Sequence, residues 1–169
     1  MSGKILRFKK HKTTKTSKLK FLRLELYEDA TLAHFMLLAP HAEYRFSIAP
    51  AQEVDDAFAI YETPEGDFEI VELDDFIAQD KDTLNEVLPE AREVMQEQVR
   101  VWKALDFSGR IALQLQWSND LHEELLVRFK DMAARGNVLE MGDTLSDLLL
   151  EIECLGHYIS GLDTALRCR

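Results

Sequence analysis

The feature that most constrains this chain is a change of period near residue 75. Before it, apolar residues recur every second position; after it they recur every third or fourth. Alternation places successive side chains on opposite faces of a strand, whereas the longer spacing aligns them along one face of a helix. A chain that makes this switch, with no Pro/Gly-rich linker and no repeat at solenoid period, is expected to lay down a sheet and then cover it. The fold class that follows is α+β: an N-terminal antiparallel β-meander of four to six strands packed against two or three C-terminal helices.

The individual runs support this. Tyr44, Phe46 and Ile48 alternate with polar residues until Pro50 stops them. Phe58 and Ile60 repeat the pattern, and Thr63-Pro64-Glu65-Gly66-Asp67 separates them from Phe68 and Ile70. Pro presets φ and Gly accepts φ > 0, so a hairpin over roughly 56–73 is the best-signalled local structure. Residues 32–39 read as a further strand bounded by Pro40. Leu19 and Phe21 share one phase while Leu22, Leu24 and Leu26 take the other, which predicts a bulge or a strand buried on both faces.

Beyond Asp80, the spacing of Leu84, Leu88, Ala91, Met95, Trp102 and Leu105 predicts a helix capped by Asp80 or Asp82. Pro89 should kink it or move its start to about residue 88. Ile111, Leu113, Leu115 and Trp117 alternate again, suggesting one more strand after a turn at Ser108-Gly109. A helix would then begin at Ser118-Asn119-Asp120, with Glu123 completing a capping box, and end at Gly136. Last comes a seam of Met141, Leu145, Leu148, Ile152, Leu155, Ile159, Leu162 and Leu166, stepping alternately by four and three residues, with Asn137 and Glu140 as its cap. Gly156 and Gly161 each weaken that helix by about 1 kcal/mol relative to Ala, and either one could divide it.

Charge separates the chain differently. Residues 1–24 hold nine Lys/Arg and no acid, while the remaining eleven basic residues face 31 acids, giving a net charge of −11. The expected organisation is a flexible basic arm over residues 1–18 and a single acidic domain over 19–169. Two cysteines in 169 residues make no disulfide framework. No apolar run is long enough for a spanning helix, and no secretory signal is read at the N-terminus, so no membrane partner and a cytoplasmic location are expected.

Candidate chemistry is sparse. Cys154 and His157 sit three apart on one helix, two ligands where structural zinc takes four. His34 and His41 flank Pro40, and lone histidines among apolar residues are usually ordinary core or sheet-edge side chains. Asp120, His122, Glu123 and Glu124 crowd what reads as a first helical turn, where capping accounts for carboxylates. The seven glycines never cluster into a phosphate loop. No catalytic, cofactor or metal residues are assigned and no cofactor is expected. The reading that remains is a non-enzymatic protein-binding module, such as a chaperone, inhibitor, antitoxin or immunity-like protein. Its acidic body would engage a basic partner through Asp55, Asp56, Asp74 and Asp75. The alternatives are a nucleic-acid accessory protein gripping through Lys9, Lys10, Lys12 and Lys15 of the arm, and a small enzyme whose residues converge only in three dimensions. The seam adds a homodimer through Leu148, Ile152 and Leu155 as a further option.

Overall fold

A computed structural model describes residues 18–26, 31–135 and 142–168. It contains a five-stranded antiparallel sheet followed by three helices, an α+β fold. The strands are β1 Lys18–Leu26, β2 Thr31–Leu38, β3 Glu43–Ile48, β4 Val54–Glu62 and β5 Phe68–Glu72, ordered as they occur in the chain. A 3-10 turn, Leu73–Asp75, leads into α1 Ala78–Ala104, α2 Phe107–Arg135 and α3 Gly142–Arg167. Two compact units result. One comprises residues 1–62 and 69–99, the other 63–68 and 100–169.

In the first unit the sheet core is aromatic on the central strands and small at the side. Phe35 stacks on Phe46 at 5.4 Å between ring centroids, and Phe21 meets Phe35 edge-on at 5.6 Å. Tyr44 and Phe46 stand opposite Ala59 and Ala57 of β4, so large rings face small side chains across the pair. Phe58 and Ile60, the more hydrophobic residues of β4, therefore lie on the other face, where the Arg45 guanidinium sits over the Phe58 ring at 5.9 Å. The expected bulge is present: pairing of β1 with β2 slips between Phe21 and Arg23, which restores Leu24 to the buried face opposite Ala33. A second slip, between Ser47 and Ile48, leaves Asp55 as the extra residue of β4. β3 is buried along its whole length, Glu43, Arg45 and Ser47 included.

Helix α1 begins ten residues before the start that Pro89 suggested. Ile77 is the residue before the first turn, and Asp80, three on, accepts its backbone N–H at 3.3 Å, the carboxylate half of a capping box. Asp80, Leu84, Val87, Ala91 and Met95 then form one buried stripe, so packing carries the helix through Pro89, which lies on the exposed side. Proline there costs a backbone hydrogen bond and about 3 kcal/mol of propensity, less than the stripe contributes.

The second unit corrects three sequence expectations. Residues 111–117 are helix, not strand, and Ser118-Asn119-Asp120 lies in the middle of α2 rather than at its start. The true start is Asp106, whose carboxylate accepts the Gly109 N–H at 2.8 Å. Once residues 111–132 are read as one helix, Ile111, Ser118, Leu125 and Met132 fall at seven-residue intervals, and all four are buried. Four alternating residues are too short a run to outweigh that stripe. Helix α3 is also unbroken: it continues through both Gly156 and Gly161. Leu145, Leu148 and Ile152 of the seam are buried, whereas Leu149, Leu150 and Tyr158 are exposed. Helices α2 and α3 pack on one another, with Tyr158 donating to Gln114 at 3.2 Å. At the head of α2, Trp102 stacks on Trp117 at 5.9 Å while Arg110 donates to the Trp102 carbonyl. The Thr63–Asp67 turn has the expected chemistry, with Gly66 at φ +88. Phe68 beside it lies under the guanidinium groups of Arg128 and Arg135.

The expected helix stop at Gly136, the Asn137–Glu140 cap and Met141 lie outside the described residues, as does the arm up to residue 17. Among the described residues no helix is long and apolar enough to cross a membrane.

Candidate functional site

The four aspartates assigned from sequence lie on two neighbouring elements of the first unit, β4 and the 3-10 turn that contacts it. Asp55 and Asp56 open β4, and Asp74 and Asp75 form the 3-10 turn that packs beside that strand. The hairpin causes this: β4 and β5 run antiparallel from the Gly66 turn, so the residues that enter and leave it share an end. All four are exposed, and the bulge at Asp55 lets two consecutive residues point outward. Lys9, Lys10, Lys12 and Lys15 lie outside the described residues, whereas Lys18 is the first residue of β1.

Two constellations that sequence reading does not assemble are also in the first unit. One lies where the sheet meets α1. Asp80 is 1% exposed, and its carboxylate accepts the Tyr44 hydroxyl as well as a Tyr61 hydroxyl. Because the Tyr44 proton is committed to Asp80, its oxygen accepts from His41 Nε2, 2.6 Å away. Burial, reinforced by the neighbouring carboxylate, pushes the hydroxyls of both Tyr44 and Tyr61 far above the ordinary tyrosine range. These tyrosines are fixed donors. The group joins β3, β4 and the first turn of α1 around one carboxylate.

The other constellation crosses the opposite face of the sheet. His34 of β2 stands across from Arg23 of β1 and Ser47 of β3, and Ser47 in turn stands across from Asp56 of β4. His34 Nε2 is 2.8 Å from a Glu25 carboxylate oxygen, and His34 Nδ1 is 2.9 Å from Ser47 Oγ. A carboxylate only accepts, so the neutral ring carries its proton on Nε2, and Nδ1 is left to accept from the serine hydroxyl. Burial lowers the His34 pKa and Arg23 lowers it further, against the opposing pull of Glu25 and Asp56. The result is a neutral imidazole with its Nδ1 lone pair aimed at a hydroxyl.

The remaining sequence candidates separate. Cys154 and Cys168 are exposed free thiols, Cys154 on the solvent side of α3 and off the seam. His157 is exposed as well. Asp120 and Glu123 lie on the exposed face of α2, away from its first turn, so capping does not account for them. His122 faces α3 instead, where a Cβ on Gly156 would lie 3.6 Å from its Nε2. Among the described residues no three His, Cys, Asp or Glu side chains group as metal ligands. Glu25, His34 and Ser47 carry no sequence motif, because the register of three strands and the bulge at Leu22 bring them together. No family model, curated protein or solved structure matches this chain.

Proposed function

We propose that this protein is a binding module whose acidic body engages a basic protein partner through Asp55, Asp56, Asp74 and Asp75. The observation that supports the reading is the exposure of these four carboxylates on two contacting elements, the start of β4 and the turn after β5. Exposed like charges on neighbouring elements raise the local potential, an arrangement that favours fast capture of a cationic surface. Two exposed thiols, Cys154 and Cys168, suit a reducing compartment such as the cytoplasm.

Affinity capture from the native cell, followed by association kinetics on the recovered protein, tests this. The on-rate is expected to fall as the Debye length shrinks from roughly 30 Å at 0.01 M salt to about 10 Å at 0.1 M. Replacing the four aspartates with asparagine should lower it similarly while leaving the urea midpoint unchanged. A partner that binds the substituted protein equally fast, or capture that nuclease abolishes, overturns the reading. The second outcome would transfer the function to the arm.

A further inference from the structure

The row across the second face of the sheet contains what a nucleophilic site requires at its centre: a hydroxyl, a base in contact with it, and a carboxylate orienting the base. Ser47 Oγ to His34 Nδ1 is 2.9 Å, and His34 Nε2 to Glu25 is 2.8 Å. Three adjacent strands supply the three residues, so their spacing is fixed by the backbone ladder. That is the rigid kind of support such geometry needs. The imidazole side chain is 21% exposed and the carboxylate 31%, so the array opens to solvent at its carboxylate end. Arg23, across the pair from His34, lies at that same end with its guanidinium 3.8 Å from the Glu25 carboxylate, while Ser47 at the other end is 6% exposed.

We propose that Ser47 is a base-activated nucleophile that accepts the acyl group of small carboxylic esters, with His34 as its general base and Glu25 as the residue that positions His34. In the step proposed, Ser47 Oγ attacks the carbonyl carbon as its proton passes to His34 Nδ1. The tetrahedral adduct carries its charge on the former carbonyl oxygen, balanced by the imidazolium that His34 becomes. The adduct collapses when the bond from the acyl carbon to the alkoxy or aryloxy oxygen breaks, and the leaving oxygen takes the proton from His34. The products are acylated Ser47 and an alcohol, with no oxidant, reductant or metal required. This activity is separate from partner binding at the four aspartates, and it is measured without any partner present, so either reading fails on its own.

The probe is p-nitrophenyl acetate applied to the full chain, with nitrophenolate release followed by absorbance and the acetylated residue located by peptide mass spectrometry. Acetyl is expected on Ser47, at a rate that rises with pH as His34 loses its proton. The charged groups around that titration are Arg23, which opposes protonation, and Glu25 and Asp56, which favour it. His34→Gln keeps a polar side chain between the strands but removes the base, and general-base loss should slow acetylation by about a hundredfold or more. Glu25→Gln should slow it less and move the inflection to lower pH, a shift that a purely structural role for Glu25 would not produce. Ser47→Ala, the variant least able to disturb the fold, must abolish the modification. Acetyl confined to lysines, an unchanged rate in Ser47→Ala, or wild-type labelling in folded His34→Gln overturns the proposal.

Discussion

The first unit buries a hydrogen-bonded polar group inside its aromatic core, whereas the second is held by an apolar seam. Asp80, Tyr44 and His41 form a hydrogen-bonded chain under the sheet, and Glu43 and Arg45 are buried on its other face. In the second unit, Leu145, Leu148 and Ile152 are buried, as are Ile111, Leu125 and Met132. Among the described residues of α2 and α3, Ser118 is the one polar side chain that is buried with them. An apolar contact tolerates any side chain of suitable volume, whereas a buried carboxylate tolerates only a partner with a donor at the right place. The sheet unit should therefore be intolerant at a few positions, and the helical unit mildly sensitive at many.

The largest expected effect is at Asp80. Asp80→Ala strands two tyrosine hydroxyls and the Ile77 N–H that begins α1. At roughly one to three kcal/mol per unsatisfied buried group, the loss should reach about 3–5 kcal/mol in urea unfolding. Tyr44→Phe, which removes one hydroxyl and keeps the ring, should cost only about 1–2 kcal/mol. If Asp80→Ala melts like wild type, the contrast between the units collapses.

Next comes the seam. Leu148→Ala or Ile152→Ala should cost about 2–4 kcal/mol, with a midpoint independent of protein concentration. A midpoint that rises with concentration would instead place these residues in an interface between two copies.

The glycines of α3 sharpen the comparison in the opposite direction. A Cβ at Gly161 meets nothing within 4 Å, so Gly161→Ala should stabilise the protein by about 1 kcal/mol through helix propensity. Gly156→Ala should gain somewhat less, since its Cβ comes within ordinary contact of His122. Thermal melts of the two variants decide this.

The smallest effect expected is a slope with pH. The folded-state pKa of His34 is lowered, so the unfolded chain binds this proton first. The stability His34 contributes is present above its unfolded pKa of about 6.5, and it is lost as pH falls from there toward the lower folded value. Unfolding measured across that interval should show a slope that His34→Gln reduces.

Residues with local consequences are legible in the sequence. Gly66 and Pro64 mark the β4–β5 turn, the phase slip at Leu22 marks the bulge, and the α3 seam identifies Leu148 and Ile152 as buried. Sequence reading fails where one local signal is taken without its surroundings. Pro89 suggests a late start for a helix whose beginning is set by Asp80, and four alternating residues after Gly109 mask the seven-residue repeat from Ile111 to Met132. At the candidate sites, Asp55, Asp56, Asp74 and Asp75 can be named because exposed acids need no partner to be noticed. Glu25, His34 and Ser47 cannot, since nothing local connects residues nine and thirteen positions apart on three strands.

By itself, then, the sequence determined where strands give way to helices, because side-chain period is a property of neighbouring residues and the backbone obeys it locally. Tertiary structure alone decided which polar side chains meet. Strand register and the docking of α1 on β3 place Ser47 against His34 and Asp80 against Tyr44, and a single-residue slip in register would turn each pair to opposite faces.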